Sequence, residues 1–191
     1  TSTVDIQLAT SRDGMLWSRP QRVPIIQRGE YGCIYATPDL VPLSDEEWGL
    51  MFMGNPGRHD FRTDPDDDAP REPAEWRWAT WKRERLVALQ AEGEARFTTV
   101  QRECRGDEMR INYETETGGW VRVELGNPPV TPPQPVEAFP DFGAAEADVL
   151  TGNELARAVS WKGQTNLAAL KGRQVSIRIH MARAKLYSIS I

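Results

Sequence analysis

The tightest constraint on this chain is a period of two near its end, where Val175, Ile177, Ile179 and Met181 alternate with Ser176, Arg178 and His180. An apolar face every second residue is the pattern of a half-buried strand, and a helix of 3.6 residues per turn cannot satisfy it. The surrounding residues 155–191 read as further β structure. Residues 155–161 make one strand, and Thr165 can cap a single helical turn over 166–170 that Gly172 closes. Residues 185–191 make a last strand with Tyr187, Ile189 and Ile191 on one side, so this sheet is expected to close a domain.

Upstream, short strands recur every eight to twelve residues, separated by turns, which predicts an all-β chain. Residues 4–10 alternate and run into Ser11, Arg12, Asp13, Gly14, Met15, Leu16 and Trp17. Ser and Asp oxygens can accept from nearby backbone amides, Gly14 permits a positive φ, and Trp17 then covers the turn. Residues 22–27 form a strand with Pro24, suited to an edge. Gly29, Glu30, Tyr31 and Gly32 then place an acid and an aromatic just ahead of a strand. In EWGLMFMG, residues 47–54, Trp48, Leu50 and Phe52 share one face and Met51 and Met53 the other, so this strand is expected to be covered on both sides.

The polar, proline-rich loop 55–75 has the length of a functional segment. Arg58, His59 and Asp60 stand together at its base. Asp64, Asp66, Asp67 and Asp68 lack the spacing of a calcium loop, so no metal site and no cofactor is expected. In EWRWATWK, Trp76 and Trp78 share one face while Ala79 and Trp81 share the other. Core packing is the favoured role for these rings, with sugar stacking as the alternative. Strands are predicted over 85–90 and 96–100 around a turn at 91–95.

From residue 103 the pattern changes. Met109, Ile111 and Tyr113 alternate, Gly118 and Gly119 turn, and Val121, Val123 and Leu125 alternate back, which reads as a local hairpin. Residues 127–140 hold too many prolines for a central strand and make a surface crossing. A hairpin, a crossing and returning strands suggest a Greek-key sandwich over 103–191, after about two propeller-like blades in residues 1–102.

Charge and cysteine count narrow the partners. A net charge of −5 over 191 residues argues against nucleic acid, which needs a basic face, and Lys82, Arg83 and Arg85 are interrupted by Glu84. No apolar run approaches the roughly 18 residues of a membrane span, so no membrane role is expected. Cys33 and Cys104, far apart in the sequence, form no metal motif, and a bridge between them stays open. A start at Thr1 reads as a processed product or a fragment.

The SRDGMLW turn resembles the S-x-D-G-x-x-W hairpins of β-propeller glycoside hydrolases and the related Asp-box of sialidases. With the GCIY strand, SWKG, ALKG, VSIRIHM and AKLYSI, nearly all of the chain resembles the C-terminal portion of five-bladed-propeller proteins labelled glycosyl hydrolase, family 32-like. That resemblance implies a carbohydrate partner and about three further blades, on missing sequence, another chain or a second copy; the compartment stays open, with a secreted or periplasmic setting slightly favoured over a cytoplasmic one. Glu30 stands where the family tends to carry an acidic group, as acid/base or as ligand to a sugar hydroxyl, with Tyr31, Arg58, His59 and Asp60 converging on it. Glycoside hydrolysis needs two carboxylates, so Glu30 alone is not expected to catalyse it. The alternative is a stand-alone carbohydrate-binding or structural β module.

Overall fold

A computed structural model describes residues 2–11, 13–59, 73–128 and 137–191; Asp60, the four aspartates after it and most of the proline-rich crossing lie outside the described residues. The chain is all-β, its named strands pair antiparallel, and a 3-10 turn, Ala168–Leu170, is the one helical element among the described residues. It falls into two compact units, Thr1–Arg83 and Glu84–Ile191, where the sequence suggested a division at 102/103.

In the first unit β1 (Thr10–Ser11) and β2 (Trp17–Ser18) pair across the SRDGMLW turn. Its side chains fix the turn. Asp13 Oδ1 accepts from the amides of Met15 and Leu16, both at 2.8 Å, and Ser11 Oγ accepts from the Gly14 amide at 2.8 Å. Those amide bonds hold the Asp13 carboxyl below its usual range. Gly14 takes φ 74°, and Trp17 donates its indole N–H back to Gly14 O at 3.0 Å. Trp17 thus lies across its own turn but stays 64% exposed, not buried in a core.

Strands β3 (Cys33–Pro42), β4 (Glu47–Asn55) and β5 (Glu75–Lys82) follow as a three-stranded sheet in that order. Residues near the start of the chain brace it: Val4 bridges Cys33 in parallel, and Gln7 bridges Pro24. One face carries the core of Ile26, Ile34 and Phe52, with Leu50, Tyr31, Ala79 and Trp81 packed against it. Register places Tyr35, Met53 and Trp76 in one cross-strand row, with Met51 and Trp78 beside it, on the opposite face. The expected sharing of faces in EWRWATWK therefore holds, but the rings divide: Trp81 joins the core, whereas Trp76 and Trp78 are 62% and 52% exposed.

The second unit is built on β6 (Leu89–Thr98), β7 (Arg102–Glu103), β8 (Arg110–Asn127), β9 (Glu137–Ala138), β10 (Asn153–Ala158) and β11 (Gln174–Ser190). These form one six-stranded sheet in the order β10-β8-β11-β6, with β7 added to β11 and β9 to β8. Its core takes Ile111, Tyr113, Val121, Val123, Leu125, Ile177, Ile179 and Met181 from the two long strands. Over them pack Phe139, Leu150, Val159, Trp161, Leu167 and Leu170 from the connections.

Three expected turns resolve differently here, for one physical reason. The sequence suggested a hairpin at Gly118 and Gly119, yet β8 runs on in one direction and both halves pair with β11. Ala182 pairs with Trp120 and Ala184 with Thr115, so residues 116–119 bulge opposite the single residue Arg183. Gly119 is required at that point, since a Cβ there would lie 2.2 Å from Arg183 O. The same irregularity places Glu92 and Gly93 opposite Arg183, so the predicted turn at 91–95 is a bulge inside β6. The two strands predicted over 175–181 and 185–191 are likewise one strand with Arg183, at φ 44°, as its bulge. The N-cap of the helical turn is Leu167, with no side-chain cap bond, so Thr165 does not cap it; Asn166 Oδ1 accepts from the Ala168 amide at 2.8 Å just ahead of the turn. Cys33 and Cys104 are buried free thiols, each within a different unit.

Candidate functional site

The first unit distributes the sequence-predicted site residues over two faces of its sheet. Tyr31 lies on the core face. Its ring covers Gly54, where a Cβ would meet the ring at 2.4 Å, and the Arg77 guanidinium stands 5.2 Å from the ring centroid. The phenol donates to Glu75 Oε2 at 2.6 Å, and Arg77 donates to the same oxygen from Nε at 3.0 Å and Nη2 at 2.6 Å. Arg28 ties the approach by donating to Tyr31 O at 2.7 Å while pairing with Asp5 at 2.9 Å.

Glu30 is exposed beside this group, near enough for its charge to raise the pKa of both Tyr31 and Arg77. Glu75 and Arg77 are the partners that sequence reading missed. They begin the EWRWATWK strand, 44 residues from Tyr31, and only the β4–β5 register brings them to it.

His59 goes elsewhere. Its backbone N–H donates to Ser2 O at 2.9 Å, and its ring stands 6.4 Å from that of Tyr35, a residue of the Trp76 row. Tyr31 and His59 thus accompany opposite faces of the sheet and do not converge. Arg58 is exposed next to His59, and Asp60 lies outside the described residues.

The electrostatics of the Tyr31 group bear on chemistry. The hydrogen bond to Glu75 raises the Tyr31 phenol above its ordinary value, with burial and the neighbouring carboxylates adding to it. The same bond, then Arg77, lowers the Glu75 carboxyl. The proton therefore rests on Tyr31 and the charge on Glu75, and neither group is tuned toward neutral pH as an acid/base catalyst would be. The Tyr31 ring is half-buried, with Gly54 packed against it and the Arg77 guanidinium over it. The opposite sheet face is more open: it carries the two exposed indoles of Trp76 and Trp78, with the Tyr35 phenol, 37% exposed, across Met53 from Trp76.

No group of three or more His, Cys, Asp or Glu side chains able to hold a metal ion occurs among the described residues. No helix of the described residues is long and apolar enough to cross a membrane. Comparison with family models, with curated proteins and with solved structures returns no match to this chain.

Proposed function

We propose that this chain is a non-catalytic, glycan-contacting part of a glycoside hydrolase-like protein of the propeller type, made of blade-like sheet followed by a sandwich-like unit. The observation that carries the reading is the exposure of Trp76 and Trp78 on one sheet face beside Tyr35. The C–H face of a pyranose or furanose packs on an indole ring, an apolar surface that charged side chains do not offer. The two tryptophans stand roughly 6.6 Å apart along β5, close enough for one oligosaccharide to lie across both. The Ser11–Asp13–Trp17 hydrogen bonds support the propeller-type resemblance, since they give that turn a built-in geometry.

The test is binding to a glycan array by the parent chain and by Trp76→Ala and Trp78→Ala. Both variants should lose glycan binding while melting at nearly the parental temperature. Parental binding by both variants, or hydrolysis of a glycoside by the isolated chain at enzymatic rates, would rule the reading out. Glu30→Ala and His59→Ala provide the comparison, and their loss of binding with the tryptophan variants unaffected would move the contact to the residues first suspected.

A second reading, purely structural, is favoured by the apolar content of both faces of β4 and by the exposure of Met15 and Leu16. There the aromatic face is covered by a further blade on another chain or a second copy. Sedimentation velocity separates the two: concentration-dependent self-association abolished by Trp78→Glu supports this second reading, and a monodisperse monomer with no apolar dye binding counts against it.

A further inference from the structure

The second unit carries an unusual row of bases on the face of its sheet turned away from the core. Register pairs Arg96 of β6 with His180 of β11, and His180 with Arg122 of β8. The residues that flank this row along each strand, Phe97, Ile179 and Val123, belong to the core, so Arg96, His180 and Arg122 project to the other side together. With strands about 4.8 Å apart, the two arginine Cα atoms stand roughly 10 Å apart with the imidazole between them.

The surrounding charges leave this row unbalanced. In the adjacent row Arg178 pairs with Thr98 and Glu124, and its Nη1 donates to Glu124 Oε1 at 3.0 Å. Glu124 Oε2 is 3.6 Å from His180 Nε2, too long for a hydrogen bond. On the far side Ala182 separates Glu94 from Trp120, against whose ring Arg122 rests at 5.9 Å. Among the described residues neither Arg96 nor Arg122 makes an ion pair, and His180 Nε2 is buried with no hydrogen-bond partner. The two arginines carry charges that no carboxylate of the described residues pairs, and a buried nitrogen without a hydrogen-bond partner forfeits a hydrogen bond. An anion at this point relieves both.

We infer that Arg96, His180 and Arg122 form a binding site for a small oxyanion, a carboxylate or sulfate group. The two guanidiniums clamp its oxygens from either side, as their planar N–H forks are shaped to do, and His180 Nε2–H donates from the sheet beneath. The group can be carried by a uronic acid sugar or arrive as a free inorganic ion.

The chain holds two histidines, so long-range 1H–15N spectra of the full chain, with His59→Gln to assign them, follow His180 directly. Sulfate, glucuronate, glucose and chloride are titrated at constant ionic strength. Sulfate and glucuronate should move the His180 signals saturably, with glucose and chloride inert. Arg96→Gln and Arg122→Gln should each weaken binding at least roughly tenfold. Arg96 is exposed on an edge strand, so its replacement leaves the fold intact, and unchanged His59 signals report this. Glucuronate tighter than sulfate identifies a sugar acid as the ligand; equal affinities identify a free oxyanion; both uphold the site. Shifts that are linear in every salt, or that survive both substitutions, overturn it.

Discussion

The two units use the same material, antiparallel strands with alternating side chains, and reach different ends. In the first, the buried cluster holds three residues, Ile26, Ile34 and Phe52, and two of the sheet's tryptophans, Trp76 and Trp78, face outward. In the second, twenty-one buried residues form one cluster, and even polar groups on its long strands are enclosed. At ~1.5–3 kcal/mol for each large apolar side chain buried, the second unit is stabilised by its own interior. The first divides its aromatic residues, with Phe52, Tyr31 and Trp81 on the core face and Trp76 and Trp78 on a surface. A sheet with an interior fixes its residues by packing, whereas a sheet with an uncovered aromatic face is available to something else.

The sharpest way to break this comparison is to exchange tryptophans in it. Trp161 is 3% exposed, donates its indole N–H to Val123 O at 2.9 Å and meets Phe142 edge-on. Trp161→Ala should cost about 3–5 kcal/mol in urea denaturation. Trp17→Ala, although its indole also has a hydrogen bond, should cost less than about 1 kcal/mol. Equal costs would mean that the first unit has an interior after all.

A somewhat smaller effect is expected at Arg85. Its side chain is 7% exposed and donates to Asn112 Oδ1 at 2.8 Å and to Tyr113 O and Glu154 O at 3.2 Å, with Glu114 at 3.4 Å and the Tyr187 ring at 4.7 Å. Arg85→Ala strands these acceptors and should cost about 3 kcal/mol by the same denaturation. Arg77→Ala in the first unit removes an exposed pair with Glu75 and should leave the midpoint nearly unchanged. A large loss at Arg77 would show that the Tyr31 group, too, is structural.

The smallest effect is one of pH. The Lys185 hydrogen bond holds the Glu114 carboxyl below its usual range. A carboxyl with a lowered folded pKa contributes stability that is complete above its unfolded value, about 4.3, and is lost as pH falls through the lower folded one. Denaturation midpoints measured from pH 6 down to pH 2 should therefore fall less steeply for Glu114→Gln than for the parent, by less than ~1 kcal/mol overall. A parallel pair of curves would deny the pair its role in the second unit.

Local sequence alone determined that this chain is β throughout, because a period of two is written in adjacent residues. It also determined the SRDGMLW turn, whose donors and acceptors lie within seven positions, and the sharing of a face by Trp76 and Trp78. What it could not determine was partnership. Alternation says which face a residue occupies, but not which strand lies beside it, because that depends on register set by residues far away. Hence Glu75 and Arg77 met Tyr31 unannounced, and Gly118 and Gly119, which spell a reversal locally, became a bulge because β11 was long enough to pair with both halves of β8. Burial was equally beyond the sequence: Trp161 and Trp78 are the same residue type in similar alternating runs, and only the presence or absence of packed connections over each sheet face separated a core side chain from a surface one.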